Sequence, residues 1–356
     1  MNICLNGYGN DNRIIGEEYL YNKEQKVFVV EDKNKNVLME IDSVLPLIDD
    51  YNPNDFDVKI LHNTRPDHTE SCIYQVKVGG VRIGWIMPIQ SLHSTQHVFS
   101  NDEYYLKYAY VAWVYLLMNC DAEVEDLDTF DLFNCYPDDI ALLVLDQNNC
   151  STIEGFDYDD YVVSLFEYGY SENGVGNVFF DEIKIDKHIN LKHMSKELNN
   201  IPYINNLFKT FIPRDDGAVS RFYIYYQIIE LLIAKVFDDE FFDFLELLKN
   251  DTIDLYTKKD ELNYISNERN RINRLFNTYC RVDSQILKSL GDNCEQLLLY
   301  TDSKVAKSEP EKLYQVRCLL VHRMYLVDDN AEKILGIIDD LFLAVLIQLL
   351  HSFKKP

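Results

Sequence analysis

Tyr314-Gln-Val-Arg317-Cys-Leu-Leu-Val-His322-Arg-Met-Tyr325 is the stretch whose reading decides the C-terminal half of this chain. Its start is marked: Ser308 and Glu311 have capping-box spacing, and Pro310 falls in the first turn, where its missing N–H costs nothing. A helix is therefore expected to begin just before Leu313. Leu313, Val316, Leu320 and Met324 form its core stripe at helical spacing, with Val321 at the flank. Arg317 and His322 fall outside that stripe. Five steps of about 100° place them some 140° apart around the axis, so the two do not form a same-face pair within one chain.

Working outward, the chain from about Ser220 reads as a succession of helices with short polar connections and no strand-like alternation. Arg221 to Lys235 keeps Tyr225, Ile228, Ile229, Leu232 and Ile233 on one face. A second, short helix is expected at Phe241 to Leu248, a third over Asn267 to Phe276, and another around Ile286 to Leu299. The Arg317/His322 helix comes next, and a last one spans roughly Ala331 to Leu350. The expectation is a bundle of four to six helices.

Arginine and histidine together suit RNA cleavage. The reaction needs a base for the 2′-hydroxyl proton, a cation for the charge growing on phosphorus, and an acid for the departing 5′-oxygen. Histidine titrates near neutral pH at about 6.5 and serves both proton transfers. Arginine stays charged and offers a planar fork that matches phosphate oxygens. One histidine per chain supplies base and acid only if two chains contribute, which a two-fold interface would arrange. A salt-bridged or solvent-facing pair is the plainer reading of the same two residues.

The spacing Arg-x-x-x-x-His on such a helix is the signature of HEPN domains. From about Arg214 to Pro356 the chain resembles that superfamily, and the Tyr-rich first helix ending in Ile228-Ile-Glu230, with Tyr314-x-x-Arg317 and His322 near the end, looks most like the ApeA-like HEPN domains of bacterial anti-phage systems. The resemblance implies a homodimer with one composite, metal-independent ribonuclease site built from Arg317 and His322, acting in abortive infection. Arg323, Cys318 and Tyr325 become the candidates for substrate contact, and no cofactor or metal is implied. Cys318 stands where members often carry Asn or another polar residue. Met324 holds the place of the tyrosine that some HEPN toxins have adenylylated, with Tyr325 one position later.

Composition frames this reading. The 356 residues suffice for two domains, each with a sizeable core. A net charge of −25 argues against broad nucleic-acid binding, but it is unevenly spread. From Arg214 onward 19 Lys and Arg face 24 Asp and Glu, leaving −20 on the preceding part. Arg269, Arg271, Arg274, Arg317 and Arg323 are candidates for a local positive groove. The eight cysteines, Cys4, Cys72, Cys120, Cys135, Cys150, Cys280, Cys294 and Cys318, include no C-x-x-C pair and read as reduced thiols of a cytoplasmic protein. Met1-Asn-Ile-Cys-Leu-Asn-Gly7 lacks the basic start and apolar core of a signal peptide. Leu341 to Ile347 is too short for a membrane span and reads as the centre of a bundle helix.

Residues 1–212 read as a mixed α/β domain of unknown type, sensing or regulatory in role, which leaves room for a phage-derived or cellular trigger. Lys26 to Val30 and Val37 to Ile41 form one expected hairpin. Ile73 to Val78 and Val81 to Ile86, flanking Gly79-Gly80, form a stronger one. Ser100 to Glu103 is a capping box opening a helix through Tyr105, Tyr108, Ala112, Trp113 and Leu116. Ile140 to Leu145 is an expected buried strand, and Tyr161 to Tyr170 is expected to pair with Val178 to Ile185 across Asn173-Gly174. His93 and His97, with His62, Asp67, His68 and Glu70 nearby, lack the Glu of a zinc-protease motif. Gly7-Tyr-Gly9 lacks a third glycine and a preceding strand, which disfavours a dinucleotide site.

The chain is thus expected to be an α+β domain followed, at 213–356, by an all-α HEPN-like bundle that dimerises and cleaves RNA. The competing class is a non-catalytic dimerisation or partner-binding module, and a hydrolase built on His93 and His97 is a distant third.

Overall fold

The computed structural model describes residues 19–22, 27–32, 37–41, 43–46, 52–65, 69–119, 129–130, 132–174, 185, 187–198, 201–215, 217–249 and 252–356. They divide into an α+β unit and a helical unit.

The α+β unit holds two sheets. In the smaller one, β1 (Tyr19–Asn22), β2 (Val27–Asp32) and β3 (Val37–Ile41) run antiparallel in sequence order, and β7 (Thr129–Phe130) joins β3 in parallel. The expected first hairpin is β2–β3, while its turn lies outside the described residues. The larger sheet has the order β10–β5–β6–β8–β4–β9. It comprises β4 (Phe56–Asn63), β5 (Tyr74–Val78), β6 (Val81–Pro88), β8 (Ile140–Asp146), β9 (Tyr170–Ser171) and β10 (His188–Leu191). Its neighbours are antiparallel except β10 and β5.

Local chemistry explains this sheet. Gly79 and Gly80 turn the β5–β6 hairpin with φ of 57° and 87°, the doubly positive backbone that a two-residue turn of type I′ requires. Gly84 is obligatory in β6 because a Cβ there would overlap the Val144 carbonyl of β8. β8 sits between β6 and β4 and is buried from Ile140 to Leu145, as its unbroken apolar run implies. Across the sheet lies α1 (Glu103–Asn119), which buries Tyr105, Tyr108, Ala112, Trp113 and Leu116. Trp85 meets Tyr105 and Phe99 edge-to-face at 5.8 and 5.2 Å. The cap of α1 differs from the expectation: Asp102, not Ser100, accepts from the Tyr105 N–H at 2.9 Å. A carboxylate one residue before the helix is the better acceptor for its positive end. Asp146 closes β8, caps the short α2 (Gln147–Cys150) and accepts from the Tyr108 hydroxyl at 3.1 Å.

The helical unit begins earlier than 213. It takes Tyr158–Glu167 and everything from Lys192. The segment expected to be a strand at Tyr161 to Tyr170 is a short 3-10 turn followed by α3 (Val162–Glu167), with only Tyr170–Ser171 extended. Its apolar run is buried on all sides, so it carries no period by which a helix could be told from a strand. Phe166 of α3 packs edge-to-face on Phe208 at 5.3 Å. α4 (Pro202–Asn206), a π-helical turn (Leu207–Phe211) and a 3-10 turn (Ile212–Arg214) follow, burying Ile204, Leu207, Phe208 and Ile212. Pro213 is therefore part of the packed structure.

The bundle proper consists of α5 (Ala218–Leu248), α6 (Leu255–Ser266), α7 (Glu268–Arg274), α8 (Ser284–Tyr300), α9 (Glu309–Arg323) and α10 (Asp329–Ser352). The two helices expected at Arg221 to Lys235 and Phe241 to Leu248 are one, because nothing between them breaks a helix. α6 was not anticipated: it buries only Ile265, so its sequence shows almost no amphipathic stripe. Phe222, Tyr225, Ile228, Ile229 and Leu232 of α5 pack with Leu335, Ile338, Phe342 and Leu346 of α10 in the core. Among the described residues α10 alone is long and apolar enough to cross a membrane, and here it is the buried central helix of the bundle.

Asp339 of α10 is buried in this core with Arg221 Nε 3.5 Å away. Burial pushes its carboxyl up to about 8; Arg221 pulls it down, while Asp340 and Asp215 push it up. The folded pKa thus lies above the unfolded value of about 3.9. Stability from this proton is complete below about pH 4 and is lost as pH rises through 8. The difference in melting temperature between wild type and Asp339→Asn should shift in favour of Asn between pH 5 and pH 8.5. A pH-independent difference would show that Asp339 is already ionised at pH 5.

Candidate functional site

Three contacts fix α9 and decide which of its side chains face outward. Lys312 is buried, its ammonium 2.8 Å from Glu295 of α8 and 2.9 Å from Glu309. Burial works to lower its pKa, but the hydrogen bonds to Glu295 and Glu309 outweigh this and hold it above the ordinary lysine value. Beside them a Cβ on Gly291 would overlap Glu309, so glycine sets the approach of α8 to α9. From α7, Asn273 accepts from the Ser308 hydroxyl at 3.0 Å and donates to Glu311 at 2.7 Å. The expected capping-box residues are thus both engaged by Asn273, and Ser308 is the N-cap by backbone conformation without a side-chain bond to the helix.

With Leu313, Val316, Leu319 and Leu320 buried, Tyr314, Arg317, Cys318, Val321 and His322 lie on the other side. Met324, expected in the core, is 51% exposed, because the α-helix ends at Arg323 and the next three residues form a 3-10 turn. Val321 and Tyr325 are 45% and 82% exposed.

Arg317 is half-buried. Its Nη2 donates to Glu230 of α5 at 3.0 Å, and its guanidinium lies over the Tyr226 ring at 5.7 Å. Burial opposes the charge, yet the hydrogen bond and charge of Glu230, with Glu268 behind it, raise its pKa further. Burial likewise raises the Tyr226 hydroxyl above its ordinary range, and that hydroxyl has no hydrogen-bond partner among the described residues. Tyr314 lies beneath Arg269 of α7 at 5.8 Å; burial, Cys318 and Glu268 push its hydroxyl up to about 12. His322 is exposed near the end of α9. Arg323 donates to the Ser303 hydroxyl at 3.2 Å, and Cys318 is a partly exposed free thiol.

Of the five expected site residues, Arg317, Cys318 and His322 share the outer side of α9, Arg323 is turned to Ser303 and Tyr325 lies in the 3-10 turn beyond the helix, and no hydrogen bond or ion pair joins Arg317 to His322. They sit on opposite flanks of a strip made by Tyr314, Cys318 and Val321. The anticipated positive groove is largely occupied: Arg274 is paired with Glu240, Arg317 with Glu230, and Arg271 is stacked on Phe237. Tyr226 and Glu268 escaped the sequence reading, and Arg269, expected in a positive groove, is instead stacked on Tyr314. Glu230, a carboxylate set inside an apolar helix, was the one available signal.

The histidines of the α+β unit do not converge. His97 is buried with Nε2 donating to the Ser91 carbonyl at 3.1 Å, while His93 is exposed and stacked on Phe133 at 4.8 Å. His62 bonds Asp139 at 2.9 Å, and Asp67, His68, Gly7 and Gly9 lie outside the described residues. No group of three metal-binding side chains occurs among the described residues. His93 lines a cleft of about 580 Å³ with Glu70, Gln90, Phe133 and Asp138.

No family model matches this sequence, no curated protein matches it, and no solved structure matches its fold.

The placement of these residues separates stability from chemistry. Leu320→Ala should cost about 2 to 5 kcal/mol through the cavity it leaves in the core. His322→Ala, at an exposed position, should leave the melting temperature unchanged. Arg317→Ala should lose at most about 1 kcal/mol, since its partner Glu230 is largely solvated. Thermal denaturation of the three variants checks the order, and an unfolded His322→Ala would contradict the packing of α9.

Proposed function

We propose that the chain is a metal-independent endoribonuclease of HEPN type, whose C-terminal bundle forms a homodimer and cuts RNA by 2′-hydroxyl attack, in a setting of bacterial anti-phage defence. The observation that carries this reading is the disposition of Arg317 and His322 on either flank of one outward, partly apolar side of α9, with Val321, Met324 and Tyr325 exposed beside them. A second copy packed on that side would bring two arginines and two histidines to one seam. One histidine would act as base and the other as acid, and the guanidinium would meet the charge developing on phosphate.

Glu230 would orient the Arg317 guanidinium through one N–H and leave the others for phosphate oxygens. The same ion pair also favours a second reading, a non-catalytic dimerisation or partner-binding module in which Arg317 serves packing. A trigger acting through the α+β unit belongs to either reading.

RNA should be cut in excess EDTA, with 2′,3′-cyclic phosphate and 5′-hydroxyl ends, and a 2′-O-methyl group at the scissile nucleotide should block cleavage. His322→Ala should lose on the order of 100-fold or more in rate. Arg317→Lys should fail as well, because a point charge does not reproduce the bidentate fork. Light scattering should give a mass of two chains. Cleavage by a monomer would overturn the two-chain site, folded His322 and Arg317 variants with full activity would show these two residues to be structural, and a folded wild-type dimer that cuts no RNA would leave the interaction module.

A further inference from the structure

The outer side of α9 carries a feature that the cleavage chemistry leaves unused. Tyr314 and Arg317 are three residues apart and so neighbours on the helix surface. Each belongs to a guanidinium-on-ring stack, Arg269 over Tyr314 at 5.8 Å and Arg317 over Tyr226 at 5.7 Å. The two stacks therefore lie side by side, contributed by α5, α7 and α9. Arg269 is exposed and makes no ion pair with a described residue. Its flat group is braced from below by the Tyr314 ring, which leaves the other side open to solvent.

The charges around the stacks limit what can bind. Arg317 is met by Glu230, and Glu268 lies close enough to act on Tyr226, Tyr314 and Arg317 alike. Two guanidiniums and two carboxylates leave no net positive charge. A duplex held by its phosphates needs a row of uncompensated cations, and this surface does not provide one. Stacking does not depend on net charge: a braced guanidinium plane receives the face of any base, but only one that is not already stacked in a helix.

Resting on the ribonuclease reading, we infer that the Arg269–Tyr314 stack is the platform for one unpaired base of the RNA, adjoining the nucleotide whose phosphate Arg317 engages. The substrate is then single-stranded RNA, held more by stacking than by charge.

The test uses the full chain, a short fluorescein-labelled RNA strand, and the same strand annealed to its complement. The single strand should be cut and the duplex resist. The logarithm of KM should rise with the logarithm of salt by a slope of about 0.7, the value for one phosphate on a single strand. Arg269→Ala and Tyr314→Leu should each raise KM about ten-fold or more with kcat unchanged, while Tyr314→Phe, which keeps the ring face, should retain the wild-type KM. Arg269 is exposed, so its variant reports on binding even if Tyr314→Leu folds poorly. Wild-type KM in Arg269→Ala, or a duplex cut as fast as the single strand, overturns the platform and leaves the ribonuclease standing. A wild-type chain that cuts neither strand overturns both.

Discussion

The buried ammonium of Lys312 is the constraint on which the outer side of α9 depends. A charge taken out of water is tolerated only with partners in good geometry, and removing one partner of such a group typically costs about 3 to 5 kcal/mol. Glu295 and Glu309 supply the partners at 2.8 and 2.9 Å, and Gly291 lets the two helices come close enough for them to do so. Once Lys312 points inward, the helical period leaves no choice about Tyr314, Arg317, Cys318 and His322. They must face out. Asn273 and Glu230 then hold α9 from α7 and α5, so the outer side is fixed by three neighbouring helices.

That side is electrically balanced where it is chemically busiest. Arg317 and Arg269 lie over aromatic rings, and Glu230 and Glu268 offset their charge. The same balance recurs deeper in the bundle, where Glu240 meets Arg274 and Asp339 meets Arg221. In both of those pairs burial raises the carboxyl pKa despite the arginine, so desolvation outweighs the attraction. These arginines are thus each taken up by a carboxyl group or an aromatic ring and do not gather into an open basic groove.

The α+β unit follows different physics. Its larger sheet is organised by close approach: β6 and β8 run so near at Gly84 that no side chain fits, and Trp85 beside it takes up the aromatic packing under α1. Two glycines with positive φ close the β5–β6 hairpin. His93, His97 and His62 are drawn to three different partners, a ring, a backbone carbonyl and a carboxylate, so the residues that look like a cluster in sequence do separate structural jobs.

By itself the sequence determined what depends on neighbours along the chain. The α+β domain followed by a helical bundle, the β5–β6 turn, the buried β8, the faces of α1 and α5 and the position of α9 all rest on local period and turn chemistry. Tertiary structure decided whatever depends on segments far apart. Val162 to Glu167 is helical although its buried apolar run shows no period, α6 exists with almost no apolar face, and the helical unit reaches back to Tyr158 and Lys192 because Phe166 and Phe208 pack together. Ser308 and Glu311 turned from their own helix to Asn273, and Met324 left the core when α9 ended one residue before it. At the site, Arg317 and His322 were legible from their spacing. Glu230, Tyr226, Glu268 and Arg269 lie 45 to 91 positions away in sequence, on α5 and α7, and only packing brings them to Tyr314 and Arg317.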